Sequence, residues 1–290
     1  VALITPFTGG KIDEPGLRKL VDFQIDGGTN GIVPCGTTGE AATMSDDEQQ
    51  RVIRVVVEQA RGRVPVIAGV GSNDTLHVVH LAKNAAAVKA DALLIVTPYY
   101  NRPTPAGLYH HYETVAKATN LPIIVYNVPS RTGTNLLPET LAQIATLKTI
   151  VGVKEASGNL DQVSAIVKLC GREFDVLSGD DSLTMPIMSV GGRGVISVLA
   201  NVWPRPVSDM VAAWLAGDSR RAQGIHLDIF DMCKAMFFET NPIPVKTAAG
   251  LLGLCSAEMR QPLWPMGEAN VTKLKAAMVA AGLELAQEAV

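Results

Sequence analysis

The residues of this chain best suited to carbonyl chemistry each follow or end an apolar run. They are Thr37 and Thr38, Tyr99 and Tyr100, Tyr126, Arg131 and Lys154. Lys154 closes Ile150-Val-Gly-Val, a run that reads as a strand buried on both faces, where an ammonium meets a desolvation cost. Such a lysine either reaches solvent or loses its proton, and the neutral amine can attack a ketone and form a Schiff base. Tyr126 ends the preceding predicted strand, and neighbouring strands lie about 5 Å apart, so phenol and amine can meet over one substrate. That convergence favours the reactive lysine over the solvated one. A tyrosine with a pKa near 10 is a poor base alone and needs a hydroxyl neighbour for proton relay, a part Thr38 can fill for Tyr99 or Tyr100. Gly36-Thr-Thr-Gly-Glu40 can cradle a carboxylate on backbone N–H groups and hydroxyls, or can simply be a tight turn; the sequence leaves both open. Arg131 offers a planar fork for a second carboxylate, or is a solvated loop arginine.

Eight strand-helix units account for where these residues fall. The predicted strands are Val1 to Thr5, Gly31 to Val33, Val64 to Ala68, Ala92 to Val96, Leu121 to Tyr126, the run ending at Lys154, Phe174 to Leu177, and Gly194 to Val198. Between them lie amphipathic helices with readable starts: Ser45 ahead of Glu48 has capping-box spacing, and Asn73 or Asp74 can cap the next helix. Eight such units with short connections predict an α/β fold, a (β/α)8 barrel over residues 1–217, with an open doubly wound sheet as the alternative. Residues 218–290 show no strand pattern and three helical stretches, read as a helical C-terminal extension packed on the barrel. In a (β/α)8 barrel the active site lies at the C-terminal ends of the strands, where the candidate residues fall.

Composition narrows the function classes. With 290 residues, 47% apolar and 18% charged, the chain is globular and can bury a sizeable core. A net charge of -3 gives no electrostatic reason to bind nucleic acid or an anionic membrane. Cys35, Cys170, Cys233 and Cys255 are far apart and read as free thiols. No run is long enough to span a bilayer and no basic-then-apolar leader opens the chain, so a cytoplasmic location is expected. Val1 already reads as strand, and native residues are expected before it.

Several motif-like stretches are discounted. Gly191-Gly-Arg-Gly194 precedes the eighth strand and so lies at the wrong end for an active-site phosphate loop, while Asp180 and Asp181 would repel phosphate. Gly69-Val-Gly71 lacks the third glycine of a dinucleotide fingerprint. His110 and His111 point in different directions on a helix, with no carboxylate or cysteine at ligand spacing, so no metal site is expected. His77, His80 and His226 read as helix residues, and Met185, Met188 and Met210 as core filling.

Gly36-Thr-Thr-Gly-Glu40, Thr97-Pro-Tyr-Tyr-Asn-Arg-Pro103, Tyr126-Asn-Val-Pro-Ser-Arg-Thr-Gly133, Gly152-Val-Lys-Glu-Ala-Ser-Gly-Asn159, Ser178-Gly-Asp-Asp181 and Gly194-Val-Ile-Ser-Val198 closely resemble the 4-hydroxy-tetrahydrodipicolinate synthase (dihydrodipicolinate synthase) family. This is a group of pyruvate-dependent class I aldolases, and the likeness continues into Asn241-Pro-Ile-Pro-Val-Lys246. The resemblance implies condensation of pyruvate with L-aspartate 4-semialdehyde, leading into diaminopimelate and lysine synthesis, with no external cofactor. It implies that Lys154 forms the Schiff base with pyruvate, whose carboxylate rests on Thr37 and Thr38. Tyr126, Thr38 and Tyr100 make the proton relay, with Tyr100 supplied by a neighbouring subunit of a homotetramer, a dimer of dimers. Arg131 holds the semialdehyde carboxylate, and Gly179 and Ile196 line the pyruvate pocket, Ile196 through its backbone.

Some members of the family are inhibited by lysine at the subunit interface. The corresponding positions here are Ala42, Asp46, Gln49, Asn73, His77 and Tyr99. Asn73 and Tyr99 fit, but sensitive enzymes often carry histidines in place of Asp46 and Gln49 and a glutamate in place of His77. The loss of that carboxylate predicts weak or absent feedback. Two rival readings remain at this point: another Schiff-base aldolase, such as N-acetylneuraminate lyase or a 2-keto-3-deoxy sugar acid aldolase, and a catalytically silent binding barrel. Tyr126 and Lys154 suit every Schiff-base member, whereas Arg131 favours the semialdehyde. Retention of the lysine, tyrosines and threonine together argues against a silent barrel.

Overall fold

The computed structural model describes residues 1–286. In chain order the regular elements are β1 (Phe7–Thr8), β2 (Lys11–Ile12), α1 (Glu14–Asp26), α2 (Asp46–Ala60), β3 (Ile67–Gly69), α3 (Thr75–Ala87), β4 (Ala92–Val96), α4 (Pro105–Ala118), β5 (Ile123–Asn127), α5 (Pro129–Thr132), α6 (Pro138–Ile144), β6 (Ile150–Glu155) and α7 (Leu160–Cys170). They continue with β7 (Asp175–Ser178), α8 (Thr184–Ser189), β8 (Gly194–Val195), α9 (Pro204–Leu215), α10 (Ser219–Ala235), α11 (Ile243–Leu251) and α12 (Glu268–Ala280). The chain forms two compact units, Pro65–Ile196 on one hand and Val1–Val64 with Ser197–Val290 on the other.

The unit Pro65–Ile196 carries a six-stranded parallel sheet in the sequential order β3-β4-β5-β6-β7-β8, each strand separated from the next by helix. Sequential order with helical crossovers is what repeated βαβ units produce. The strands are buried apolar runs: Leu93, Ile95, Ile123, Val125 and Val153 are fully inaccessible. One irregularity sets the geometry of β6. Ile123 pairs with Ile150, but Ile124 pairs with Gly152, so Val151 is an extra residue on the β6 side. A one-residue shift turns every later side chain to the opposite face. The bulge therefore puts Lys154, and not Val153, opposite Tyr126.

In the other unit the first two expected strands are reduced to a parallel bridge between Ala2 and Val33, backed by donation from Ala2 N–H to the Ser197 carbonyl. The turn through Gly9 and Gly10 joins β1 to β2 as a small antiparallel hairpin. Helix α1 buries Leu17, Leu20 and Val21, leaving Phe23 half-covered. Ser45 and Glu48 form the expected capping box on α2, which buries Val52, Ile53, Val55 and Val56. The three helical stretches after residue 217 are α10, α11 and α12.

Other boundaries moved by a few residues. The third strand is β3, starting later than expected; β6 runs one residue past Lys154; β8 is two residues long, ending at Val195 well before Val198. The segment after Tyr126, read as a loop, contains the short helix α5, with Arg131 on its last turn. Pro129 at its start supplies a helix-ready φ, and Gly133 ends it at φ +70°.

Candidate active site

Lys154 stands on β6 with its Nζ 4.2 Å from the centre of the Tyr126 ring on β5. Register makes them direct neighbours, and Leu177 of β7 flanks Lys154 on the other side. Both side chains are buried, Lys154 with 5% and Tyr126 with 7% of its surface exposed. Burial lowers the lysine pKa to about 8, Asp181 pushes it back up, and Arg131 presses it down. An ordinary lysine titrates near 10.4. Near neutral pH the free amine is therefore far more populated at Lys154 than on an ordinary lysine. Exclusion of water is the larger cause of the shift, and the two charges act on it in opposite senses.

Gly179 follows β7 and lies under the lysine arm. A Cβ built there would sit 2.6 Å from the Ala156 Cβ and 3.3 Å from the Lys154 Cε, so only glycine leaves room beside the reactive carbon chain. Ile196 is buried, and its N–H donates to the Ser178 carbonyl at 2.9 Å, tying the segment after β8 to the end of β7. Behind Lys154 the carboxylate of Glu155 is buried at 1% exposure. It accepts from the Ser157 N–H at 2.7 Å, from Asn127 at 3.0 Å and from Gln162 at 3.4 Å. Asn127 in turn accepts from the Leu136 N–H, closing the segment that carries Arg131. Arg131 itself is exposed.

Tyr99 and Tyr100 lie on the loop after β4, Tyr99 39% and Tyr100 90% exposed. Tyr100 has φ +71° and Arg102 φ +47°, a left-handed backbone that side chains rarely adopt. The loop is braced where Asn101 donates to the Asn73 carbonyl at 2.8 Å.

Thr37 and Thr38 belong to the other unit, on the tight turn that the bland alternative required. Gly39 N–H donates to the Gly36 carbonyl and Glu40 N–H to the Thr37 carbonyl, each at 3.1 Å. Thr37 is exposed and Thr38 buried. A Cβ on Gly39 would meet the Leu3 carbonyl oxygen at 2.9 Å. Thr38 Oγ1 accepts from the Asn241 side-chain amide at 3.0 Å. Glu40, at φ +57°, sends its carboxylate into the core, where Lys246 Nζ meets it at 2.5 Å and the Arg260 N–H donates to it at 3.0 Å. Asn241, Lys246 and Asp181 fall inside the stretches that carry the family resemblance, but their own chemistry gives none of them a role in this site. Lys246 alone had a signal, a lone cation in the apolar helix Ile243-Pro-Val-Lys-Thr-Ala-Ala-Gly-Leu251.

The six positions matched to a lysine site are differently placed. Gln49 is buried, its amide donating to the carbonyls of Ala41 at 3.1 Å and Met44 at 3.4 Å, and Asp46 opens α2. Ala42 is exposed; His77 shares a hydrogen bond with Ser72, and the Asn73 carbonyl is taken by Asn101. His110 does have a carboxylate in reach, Glu113 at 3.3 Å on the exposed face of α4. Among the described residues no helix is long and apolar enough to cross a membrane.

The class is given first by the fold: 48% identity and a TM-score of 0.97 over 99% of this chain and 98% of the other match it to a dihydrodipicolinate synthase from Aquifex aeolicus, and the architecture is the (β/α)8 barrel with C-terminal helices. The model of the dihydrodipicolinate synthetase family matches residues 1–281. The chain is 54% identical over 278 residues to 4-hydroxy-tetrahydrodipicolinate synthase of Geobacter sulfurreducens, covering 96% of each, and 51% identical over 283 residues to that of Pelobacter propionicus, covering 98% of each. It belongs to the dihydrodipicolinate synthetase family.

Proposed function

We propose that the chain is a lyase that condenses pyruvate with L-aspartate 4-semialdehyde to 4-hydroxy-tetrahydrodipicolinate, in diaminopimelate and lysine biosynthesis. The observation that carries the reading is the buried Lys154, held at a pKa of about 8 against the Tyr126 ring, in a chain of this family. The neutral amine adds to the keto carbon of pyruvate, and loss of water gives the imine. Loss of a methyl proton makes an enamine, whose carbon attacks the semialdehyde aldehyde. The amine of the new chain then adds to the imine carbon and displaces Lys154, which returns as free amine.

The remaining roles rest on the motif match. Thr37 and Thr38 receive the pyruvate carboxylate, Gly179 and the Ile196 backbone line its pocket, and Arg131 holds the carboxylate of the semialdehyde. Tyr126, Thr38 and Tyr100 pass the protons. A Tyr100 that is 90% exposed on a left-handed backbone suits a residue presented to a neighbouring subunit, and with it a homotetramer built as a dimer of dimers. Nothing in this sequence of steps calls for an external cofactor. The reading places the enzyme in the cytoplasm, with no nucleic-acid or membrane partner. The six lysine-contact positions form a degenerate regulatory site, because the Gln49 amide is spent on the carbonyls of Ala41 and Met44 and no carboxylate stands at His77.

Turnover separates this reading from its relatives. Consumption of pyruvate should depend on aspartate semialdehyde, while N-acetylneuraminate and 2-keto-3-deoxygluconate are left uncleaved. Cleavage of either sugar acid at a comparable rate would reject the assignment.

A further inference from the structure

One short segment grips the Thr37–Thr38 turn at two points. Asn241, 5% exposed, donates from its side-chain amide to Thr38 Oγ1 at 3.0 Å. Five residues on, the Lys246 ammonium meets the Glu40 carboxylate, two residues past Thr38, and also donates to the Thr5 carbonyl at 2.9 Å. Glu40 holds a left-handed backbone at φ +57°, which is strained for a residue with a side chain, so the turn needs such an anchor. The two contacts do different work. The ion pair fixes where the turn is; the amide fixes which way a hydroxyl points.

A threonine hydroxyl has one hydrogen and two lone pairs, and an amide nitrogen can only donate. With Asn241 occupying a lone pair, the Thr38 hydrogen must turn away from Asn241. We infer that Asn241 is a positioning residue that sets the polarity of the Thr38 hydroxyl, so that it donates in one direction and accepts in another as a proton relay requires. The inference rests on the relay role given to Thr38 above.

The test compares Asn241→Ala and Asn241→Asp in the full-length enzyme, each alone and combined with Thr38→Val. Borohydride trapping with pyruvate reads Schiff-base formation separately from turnover. Asn241→Ala should still yield the pyruvyl adduct while kcat falls about tenfold or more. It should cost nothing further in the Thr38→Val background, since its effect travels through that hydroxyl. Asn241→Asp keeps the shape, but its carboxylate can only accept and would draw the Thr38 hydrogen toward itself. Its activity relative to the parent enzyme should be lowest at alkaline pH and rise as the acid regains a proton to donate.

Unchanged turnover in Asn241→Ala, or losses that multiply in the double variant, would overturn the inference and leave the proposed reaction standing. So would an Asn241→Asp enzyme as active as the parent at every pH, because the amide oxygen would then be the group facing Thr38. If Asn241→Ala does not fold, the isosteric Asp variant decides the matter alone. Failure of the parent enzyme to form any pyruvyl adduct would instead remove the reaction on which the inference rests.

Discussion

Replacing Lys246 by methionine should destabilise the chain far more than its distance from Lys154 in sequence suggests. The Lys246 side chain is wholly inaccessible and that of Glu40 is 1% exposed, so removing the ammonium strands a carboxylate in the core. Breaking a buried pair from one side typically costs about 3–5 kcal/mol. Glu40 keeps the Arg260 N–H, which favours the lower end, while the Thr5 carbonyl loses its donor, adding about 1 kcal/mol. The net expectation is a loss of about 3–4 kcal/mol. The double variant Glu40→Gln, Lys246→Met removes both charges, keeps an acceptor for Arg260, and should recover most of it, about 2–3 kcal/mol relative to Lys246→Met alone. Urea unfolding followed by circular dichroism, at fixed protein concentration and pH 7.5, measures the parent, Lys246→Met, Glu40→Gln alone and the double variant. A Lys246→Met enzyme within about 0.5 kcal/mol of the parent, or single losses that simply add, would refute the view that this pair anchors the turn.

Three further outcomes follow from the site. The rate of imine formation with pyruvate should rise with pH and level off above a midpoint near 8, because protonation of Lys154 below that value removes the nucleophile; rapid-quench borohydride trapping across pH 6 to 10 would show it. Arg131→Ala should shift that midpoint up and Asp181→Asn should shift it down, since the arginine lowers and the aspartate raises the Lys154 pKa. The arginine variant should also raise the KM for the semialdehyde about tenfold or more, as expected on losing a bidentate carboxylate partner. Millimolar lysine should leave turnover nearly unchanged in a coupled assay; clear inhibition at submillimolar lysine would contradict the degenerate regulatory site.

Much of the fold was legible because its signals are local and repeated. Apolar runs alternate with capped amphipathic helices, and Asp13, Ser45, Asp74 and Asn159 each accept a backbone N–H at the helix start they occupy. Strand ends were less legible. Val198 is as apolar as a strand residue, yet the backbone leaves the sheet after Val195, a tertiary choice that composition does not record. The pairing of Tyr126 with Lys154 was expected from adjacency, but it depends on the extra residue Val151, and a bulge of one valine within Ile-Val-Gly-Val has no sequence mark.

The same limit applies to charges. Asp181 shows in the sequence only as an acid that would repel phosphate, and its influence on Lys154 depends on how β6 and β7 lie together. Lys246 and Glu40 stand 206 residues apart, and no periodicity could join them. Local chemistry singled out Lys154 and Tyr126, which the structure places side by side. The groups that hold the surrounding parts in place came only with the third dimension.

The central claim is that Lys154 is the residue that binds pyruvate covalently. Incubation with pyruvate and borohydride, followed by peptide mass mapping, tests it most directly. One reduced pyruvyl adduct per chain is expected, on the peptide containing Gly152-Val-Lys-Glu155, and none in Lys154→Ala. An adduct on another lysine, or no adduct in an enzyme that still turns over, would contradict it.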